Sequence, residues 1–469
     1  MILFLIFFLA ACAVLIIAIN EILLKGKEEY LIIFMCLYLP FYTTILSLVF
    51  QQTGSALLVS LFQLSKELIV LIAIISFLLF KRDFFSLRFR LVFIDYVFLA
   101  FLGLGLLYVF LPMGSAGLLQ KLMYYKNIAI LGIMYFFGRN AKLVDVKLGT
   151  ITNIILGIAV LAFLLNLYEY FTYTHFQSLN GFAGFNEAIN KKDPEGSYYL
   201  NWTFETQSGS KRFASFFSGP LELAAAVLLA FPLALILYMR EKYPVHKYIY
   251  LIIMACVITS LVLSFSRAAL AALFIQLFFL AFVFRLYRLI FVGIVLGIGA
   301  VAYVVFWASK DFQDFIYDTI TFQNSSSIGH LIEWFQGIES MIANPQGIGL
   351  AMSGNASSVD DAVKVGGENQ FIIFGVQLGV FGLFLYCLLL FLSITYSLKA
   401  FRFSRNTEDA IIPFVAASVK VGLLLPLFTS NAEIFLYIAF VSWWMVGYSV
   451  STLERRKKML FQRMNTVRI

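Results

Sequence analysis

The sequence predicts an all-α integral membrane protein, a polytopic bundle of about 12 to 13 transmembrane helices. Composition is the first reason. Apolar residues make up 61% of the 469 positions and charged residues 13%, with a mean hydropathy of +0.90, which excludes an ordinary soluble domain. The second reason is run length: the apolar stretches last about 18 to 25 residues, enough for a helix to cross roughly 30 Å of hydrocarbon, whereas barrel strands alternate over about ten. The third is that the charges gather in short clusters between those stretches.

Taken in order, the apolar spans fall near 1–20, 31–50, 57–80, 91–112, 115–138, 148–169, 216–239, 248–265, 268–284, 288–308, 371–397, 409–427 and 434–452. The first has the hydrophobicity of a signal peptide but lacks a basic start and a small-residue cleavage site before the charged segment 21–30, so it reads as a retained helix. The third and twelfth carry Lys66-Glu67 and Lys420 within apolar sequence, where a charge is costly and faces the bundle interior, lining a pathway or pairing internally. The seventh opens with Pro220 and Glu222, a proline where the missing N–H is harmless and a carboxylate suited to the helix dipole. Between the eighth and ninth stands only Ser264-Phe265-Ser266-Arg267, a tight hairpin.

Orientation follows from the basic residues. With the C-terminus in the cytoplasm, segments 21–30, 81–90, 139–147, 240–247, 285–288, 398–405 and the tail from Glu454 hold 23 of the 34 Lys and Arg, as the positive-inside rule requires. Two long insertions, about 170–212 and 309–370, then face outward. The chain is read as one membrane domain, 1–469, carrying these two insertions.

The formal charge of +8 has no basic domain to sit on, so it reads as topology and not as a nucleic-acid surface. Cys12, Cys36, Cys256 and Cys387 lie inside apolar spans, where they pack and do not bridge loops. With three histidines and no HxxxH spacing, neither a metal site nor a cofactor is expected. Sequons at Asn201, Asn324 and Asn355 are short patterns of little weight.

The second insertion has internal structure. From Gly329 to Ile342, Leu331, Ile332, Trp334, Phe335, Ile338, Met341 and Ile342 recur at helical spacing, with His330, Glu333, Gln336 and Ser340 on the other side. This predicts an amphipathic helix on the outer membrane surface or over a cavity. Asn344-Pro345 ends it, Gly347 and Gly349 permit a sharp turn, and an acidic stretch at Asp360-Asp361 leads to Gly366-Gly367-Glu368-Asn369 before the next span.

Several of these residues suit phosphate and hydroxyl chemistry. Arg267 is either a snorkelling interfacial anchor or a phosphate ligand, its planar fork of donors matching phosphate oxygens. Arg212, with Lys211 beside it at the mouth of the next helix, supplies a second cationic site or an ordinary interfacial pair. Glu368 is a helix-start carboxylate that favours the dipole or, directed into the bundle mouth, a general base on a hydroxyl. His330 and Glu333 share a helix face and are able to pair or to touch a substrate.

The order of Arg212 to Pro220, Ser264-Phe265-Ser266-Arg267, Ser326-Ser327-Ile328-Gly329-His330 with Trp334, Asn344-Pro345-Gln346-Gly347-Ile348-Gly349, Glu368-Asn369 and Gly375 to Leu383 resembles the O-antigen ligase and O-antigen polymerase (Wzy-like) superfamily. That resemblance covers about 205–385 in detail and the whole chain in helix count. It implies a GT-C-like glycosyltransferase of the bacterial inner membrane. Such an enzyme takes glycan from undecaprenyl diphosphate outside the cytoplasm without a metal or cofactor, with a chain-length regulator protein as a partner. The resemblance assigns Arg212 and Arg267 to the diphosphate. Ligases of the superfamily carry arginine where His330 stands and histidine-asparagine where Glu368-Asn369 stands, whereas polymerases often have glutamate at the latter. The expectation is a polymerase with Glu368 catalytic, Arg212 and Arg267 on the diphosphate, and His330, Asn369 and Lys211 as secondary contacts. The alternatives are a ligase acting on lipid A core or another acceptor and, from another class, a lipid-linked oligosaccharide flippase or transporter.

Overall fold

A computed structural model describes every residue except 81–90, 142, 144–145, 207–208, 308–309, 311–312, 314–316, 318–320, 322–324, 355–364, 406 and 467–469. Segment 81–90, Asn324, Asn355 and Asp360-Asp361 therefore lie outside the described residues. Helix forms the described architecture, and its β-structure is one isolated bridge between Glu205 and Lys211. Among the described residues, ten helical spans are long and apolar enough to cross a membrane, from Ile2–Leu24 to Leu436–Leu460. The remaining three expected spans are helices as well: Leu118–Asn140, which carries Lys121, Lys126 and Arg139, the 17-residue Arg267–Val283, and Tyr287–Phe306. Charge in the first and length in the second set them apart from the ten.

The span expected at 31–50 is two helices, Tyr30–Tyr38 and Tyr42–Thr53, joined by a 3-10 turn around Pro40, whose ring and missing N–H break the α-helical ladder. At the chain's end, helix runs on through Leu436–Thr466, well beyond the expected 452.

The core is built on close backbone approach. The helices Leu118–Asn140 and Leu436–Thr466 cross where Gly138 and Gly447 face the partner's backbone. A Cβ on Gly138 would sit 1.9 Å from the Trp444 carbonyl oxygen, and one on Gly447 would sit 2.1 Å from that of Tyr135. Only glycine fits such a crossing, the packing device of helices that share an apolar solvent. Trp443 and Trp444 are fully buried beside it, and Phe98 meets Trp443 edge-on at 5.0 Å.

The helix Gln370–Ser404 is broken at Gly379, which adopts φ 74° and ψ −179°. A break frees backbone groups that lipid cannot satisfy, so another segment must pair with them. Residues 345–349 do so: the N–H groups of Ile348 and Gly349 donate to the carbonyls of Val376 (2.8 Å) and Gln377 (3.2 Å), while Val380 N–H donates to the Pro345 carbonyl (2.9 Å). Beyond this turn Leu350, Ala351, Met352 and Ser353 are buried, and the Gln377 amide clasps Ser353 O at 2.6 Å. The glycines expected to permit a sharp turn thus let a stretch of the second insertion re-enter the bundle.

Candidate functional site

Arg212 lies in the approach to the helix Pro220–Arg240, and what fixes that approach is a set of buried polar side chains from far along the chain. Glu169, with no exposed surface, accepts N–H bonds from Phe176 (2.9 Å) and Ser215 (2.8 Å). Gln177 donates to the carbonyls of Ser215 and Phe217, both at 2.8 Å, and Thr44 to that of Phe216 at 2.8 Å. Ser218 then closes the helix start on Glu222, its N–H donating at 3.2 Å and its hydroxyl also donating to the same carboxylate. An irregular segment inside a membrane bundle needs its backbone satisfied, and these groups supply the partners.

The hairpin between Pro244–Leu263 and Arg267–Val283 joins this segment directly. Phe213 N–H donates to Leu263 O at 3.2 Å, and Arg212 Nε donates to Ser264 O at 3.1 Å. Phe265 takes a left-handed φ of 47°, and Ser266 caps the following helix by accepting from Ala269 N–H at 3.3 Å. Arg267 occupies the first position of that helix and is exposed.

Arg212 is half-buried, and its environment ties it to the other two expected residues. Burial pushes its guanidinium down to about 10, the Arg267 charge pushes the same way, and the Glu368 carboxylate opposes both. Arg267 and Glu368, from two other stretches of chain, are therefore close enough for their charges to act on Arg212.

Glu368 is half-buried in the connection leading into Gln370–Ser404. Asn369 caps that helix, its Oδ1 accepting from Phe371 N–H (3.0 Å) and Ile372 N–H (3.2 Å), and it is 1% exposed. The cap occupies its oxygen, while its buried Nδ2 has no hydrogen-bond partner among the described residues.

Above this connection lies the amphipathic helix, observed as Ser325–Ala343. It packs on Gln370–Ser404 through glycines: a Cβ on Gly337 would reach within 2.2 Å of Ile372 Cγ2, and one on Gly375 within 2.1 Å of Met341 Sδ. Glu333 turns toward the bundle, its Oε2 only 1.8 Å from where a Cβ of Gly367 would stand. His330 is half-buried, 3.9 Å from Glu333 and stacked toward Trp334, which meets Phe428 at 4.6 Å. Ile328, Ile332, Phe335 and Ile342 are left exposed. His330, Glu333, Trp334 and Met341 thus lie on the more buried side while these aliphatic and aromatic side chains face out, which suits a helix resting against lipid.

Lys211 is committed elsewhere. Its ammonium donates to Tyr173 O at 2.5 Å and lies 4.4 Å from the ring centres of both Tyr173 and Tyr198. Successive side chains of an extended segment diverge, which separates Lys211 from its neighbour Arg212.

One acidic residue near the site was not singled out by the sequence. Glu433, in the connection before Leu436–Thr466, accepts from Tyr386 OH (2.9 Å) and Trp443 Nε1 (3.1 Å) and lies 4.0 Å from Lys420, itself 1% exposed and 3.7 Å from the Trp443 ring centre. Its signal was a carboxylate in the short connection between two apolar spans. Glu169 carried the same kind of signal at the end of its own span.

Among the described residues no cluster of three or more His, Cys, Asp or Glu is placed to hold a metal ion. An apolar groove opens between Leu148–Thr172 and Pro244–Leu263, lined by Leu156, Val160, His246 and Tyr250, on the half of those helices away from Arg212. What the candidate site offers chemically is two guanidinium groups and one carboxylate, the last in a connection packed against the amphipathic helix. No known family model matches the chain, and no curated protein matches it either.

Proposed function

We propose that the chain is a membrane glycosyltransferase polymerising undecaprenyl-diphosphate-linked repeat units into a surface polysaccharide on the extracytoplasmic face of the bacterial inner membrane. The observation that supports it is that the charges of Arg267 and Glu368 act on Arg212, all three being residues that the resemblance to O-antigen polymerases assigns to the site. Two fixed guanidinium groups match the charge of a diphosphate and stabilise it as it leaves. Glu368 accepts the proton of the attacking sugar hydroxyl, whose oxygen bonds to the anomeric carbon as the carbon–oxygen bond to the diphosphate breaks. The products are a glycan longer by one unit and undecaprenyl diphosphate. A half-buried carboxylate under the Ser325–Ala343 helix has limited access to water, which favours transfer over hydrolysis.

The test is to supply the reconstituted protein with lipid-linked repeat units. A ladder of lengthening products supports the proposal. A single transfer to a separate acceptor identifies a ligase instead. Full activity in both Arg267→Ala and Glu368→Ala sinks the site assignment. The transporter reading draws on charges within the spans at Lys66, Glu67 and Lys420. Movement of labelled lipid across the vesicle without any new glycosidic bond would decide for it.

A further inference from the structure

A second cationic cluster lies inside the bundle. Lys66 and Glu67 of the helix Ala56–Phe80 meet Lys126 of Leu118–Asn140, with Glu67 Oε1 3.2 Å from Lys66 Nζ and 2.8 Å from Lys126 Nζ. Lys66 Nζ also donates to Tyr42 OH at 2.7 Å and to Gln63 O at 2.9 Å. The three side chains are 12%, 19% and 36% exposed in the order Lys66, Glu67, Lys126, so the cluster is reachable, most readily at Lys126.

Its charge does not balance. Two ammonium groups face one carboxylate, and among the described residues no second carboxylate pairs with either lysine. Glu67 spends one oxygen on both, while its buried Oε2 has no hydrogen-bond partner among the described residues. A surplus cation within apolar spans is costly and calls for an anion.

Both helices start at the end of the bundle that carries Arg212. Gly181 of the first insertion rests on Gln51, just before Ala56, and Gly114, just before Leu118, rests on Ile348 and Met352. Helical side chains lean toward the helix N-terminus, and lysine stems lengthen that reach. Lys66 stands about ten residues along its helix and Lys126 about eight, or roughly 12 to 15 Å at 1.5 Å per residue. Both ammonium groups are therefore displaced from mid-depth toward the arginines.

We propose that Lys66 and Lys126 form a second phosphate subsite, which takes the diphosphate head of a second polyprenyl lipid. Resting on the polymerase reading, this lipid is the acceptor: joining two lipid-linked glycans requires two diphosphates at once, and Arg212 with Arg267 accounts for one. Glu67 holds the two lysines in register and limits the affinity, so that the head can exchange.

The test counts polyprenyl diphosphate bound to the protein in nanodiscs by native mass spectrometry, with neutral polyprenol and inorganic diphosphate as controls. The wild type is expected to take two polyprenyl diphosphates, Lys66→Gln/Lys126→Gln one and Arg212→Gln/Arg267→Gln one. Removing the like charge in Glu67→Gln tightens the second site by about tenfold, where a purely structural carboxylate would give no tighter binding. An unchanged count and affinity in the lysine variant overturns the proposal. If that variant does not fold, the milder Lys126→Gln and Glu67→Gln decide: weaker binding in the first with tighter binding in the second supports it, and any other pair of results overturns it. Uptake of inorganic diphosphate in place of the lipid overturns the lipid assignment. Two bound lipids with no polymer ladder would fail the polymerase reading alone, and a ladder with one bound lipid would fail this inference alone.

Discussion

Arg212 Nε donates to the Ser264 carbonyl oxygen at 3.1 Å, so the guanidinium of one chain segment is anchored on the hairpin whose next turn begins with Arg267. The Arg267 charge thereby acts on Arg212 despite their like sign. Such a pair is stable when an anion bridges it, and Glu368 supplies part of that charge.

Arg212→Lys keeps the charge but loses the fork and the bond to Ser264. Its transfer rate is expected to fall by about 10- to 100-fold, or roughly 1.4 to 2.7 kcal/mol, with the thermal midpoint nearly unchanged. A midpoint drop large enough to account for the lost rate would show that Arg212 acts only as a brace.

His175 makes stability depend on pH. It is 1% exposed, packed against Tyr198, Phe204 and Phe213, and burial holds its imidazole down at about 4, with Lys211 adding to the effect. The unfolded chain therefore binds a proton below about 6.5 that the folded chain refuses until about 4. Stability is complete above the unfolded value and declines as pH falls through this window, by up to roughly 3 kcal/mol. Melting curves between pH 7 and pH 4 measure it, and His175→Phe should flatten the decline.

Gly138→Ala places a methyl group on the Trp444 backbone carbonyl, 1.9 Å from its oxygen. Backbone cannot swing aside as a side chain does, so the Leu118–Asn140 and Leu436–Thr466 helices must separate. The expected cost is about 2 to 3 kcal/mol, read as a lower unfolding midpoint in detergent. Gly149→Ala, with open space around its Cβ, is the control and should leave the midpoint unchanged.

Glu433→Gln leaves Lys420 buried without its carboxylate. Removing one partner of a buried pair costs about 3 to 5 kcal/mol, whereas Lys420→Met/Glu433→Gln should recover most of it. Equal midpoints in the single and double variants would show that the two do not act as a pair.

The residues that define the candidate site were legible as individuals: Arg267 from its short hairpin, Arg212 from its place before a helix, Glu368 from the glycines ahead of it. What holds them was less so. Glu169, Gln177 and Thr44 reach the Ser215–Phe217 backbone across 38 or more residues of chain, and no local pattern encodes such a pairing. Asn369 had a local signal as a helix cap, yet the resemblance gave it to the substrate.

By itself the sequence determined the helical class, the spans near their observed places, the Ser264–Arg267 hairpin and the existence of the Ser325–Ala343 helix. Run length and period are local properties, and the bilayer makes helix the favoured way for such runs to satisfy their backbone. Tertiary structure alone decided the break at Gly379 and the re-entry of residues 345–353, because each supplies hydrogen bonds that the other lacks. It also decided that Glu333 turns inward while Ile332 and Phe335 stay out, since periodicity separates two faces but the surrounding solvent chooses between them.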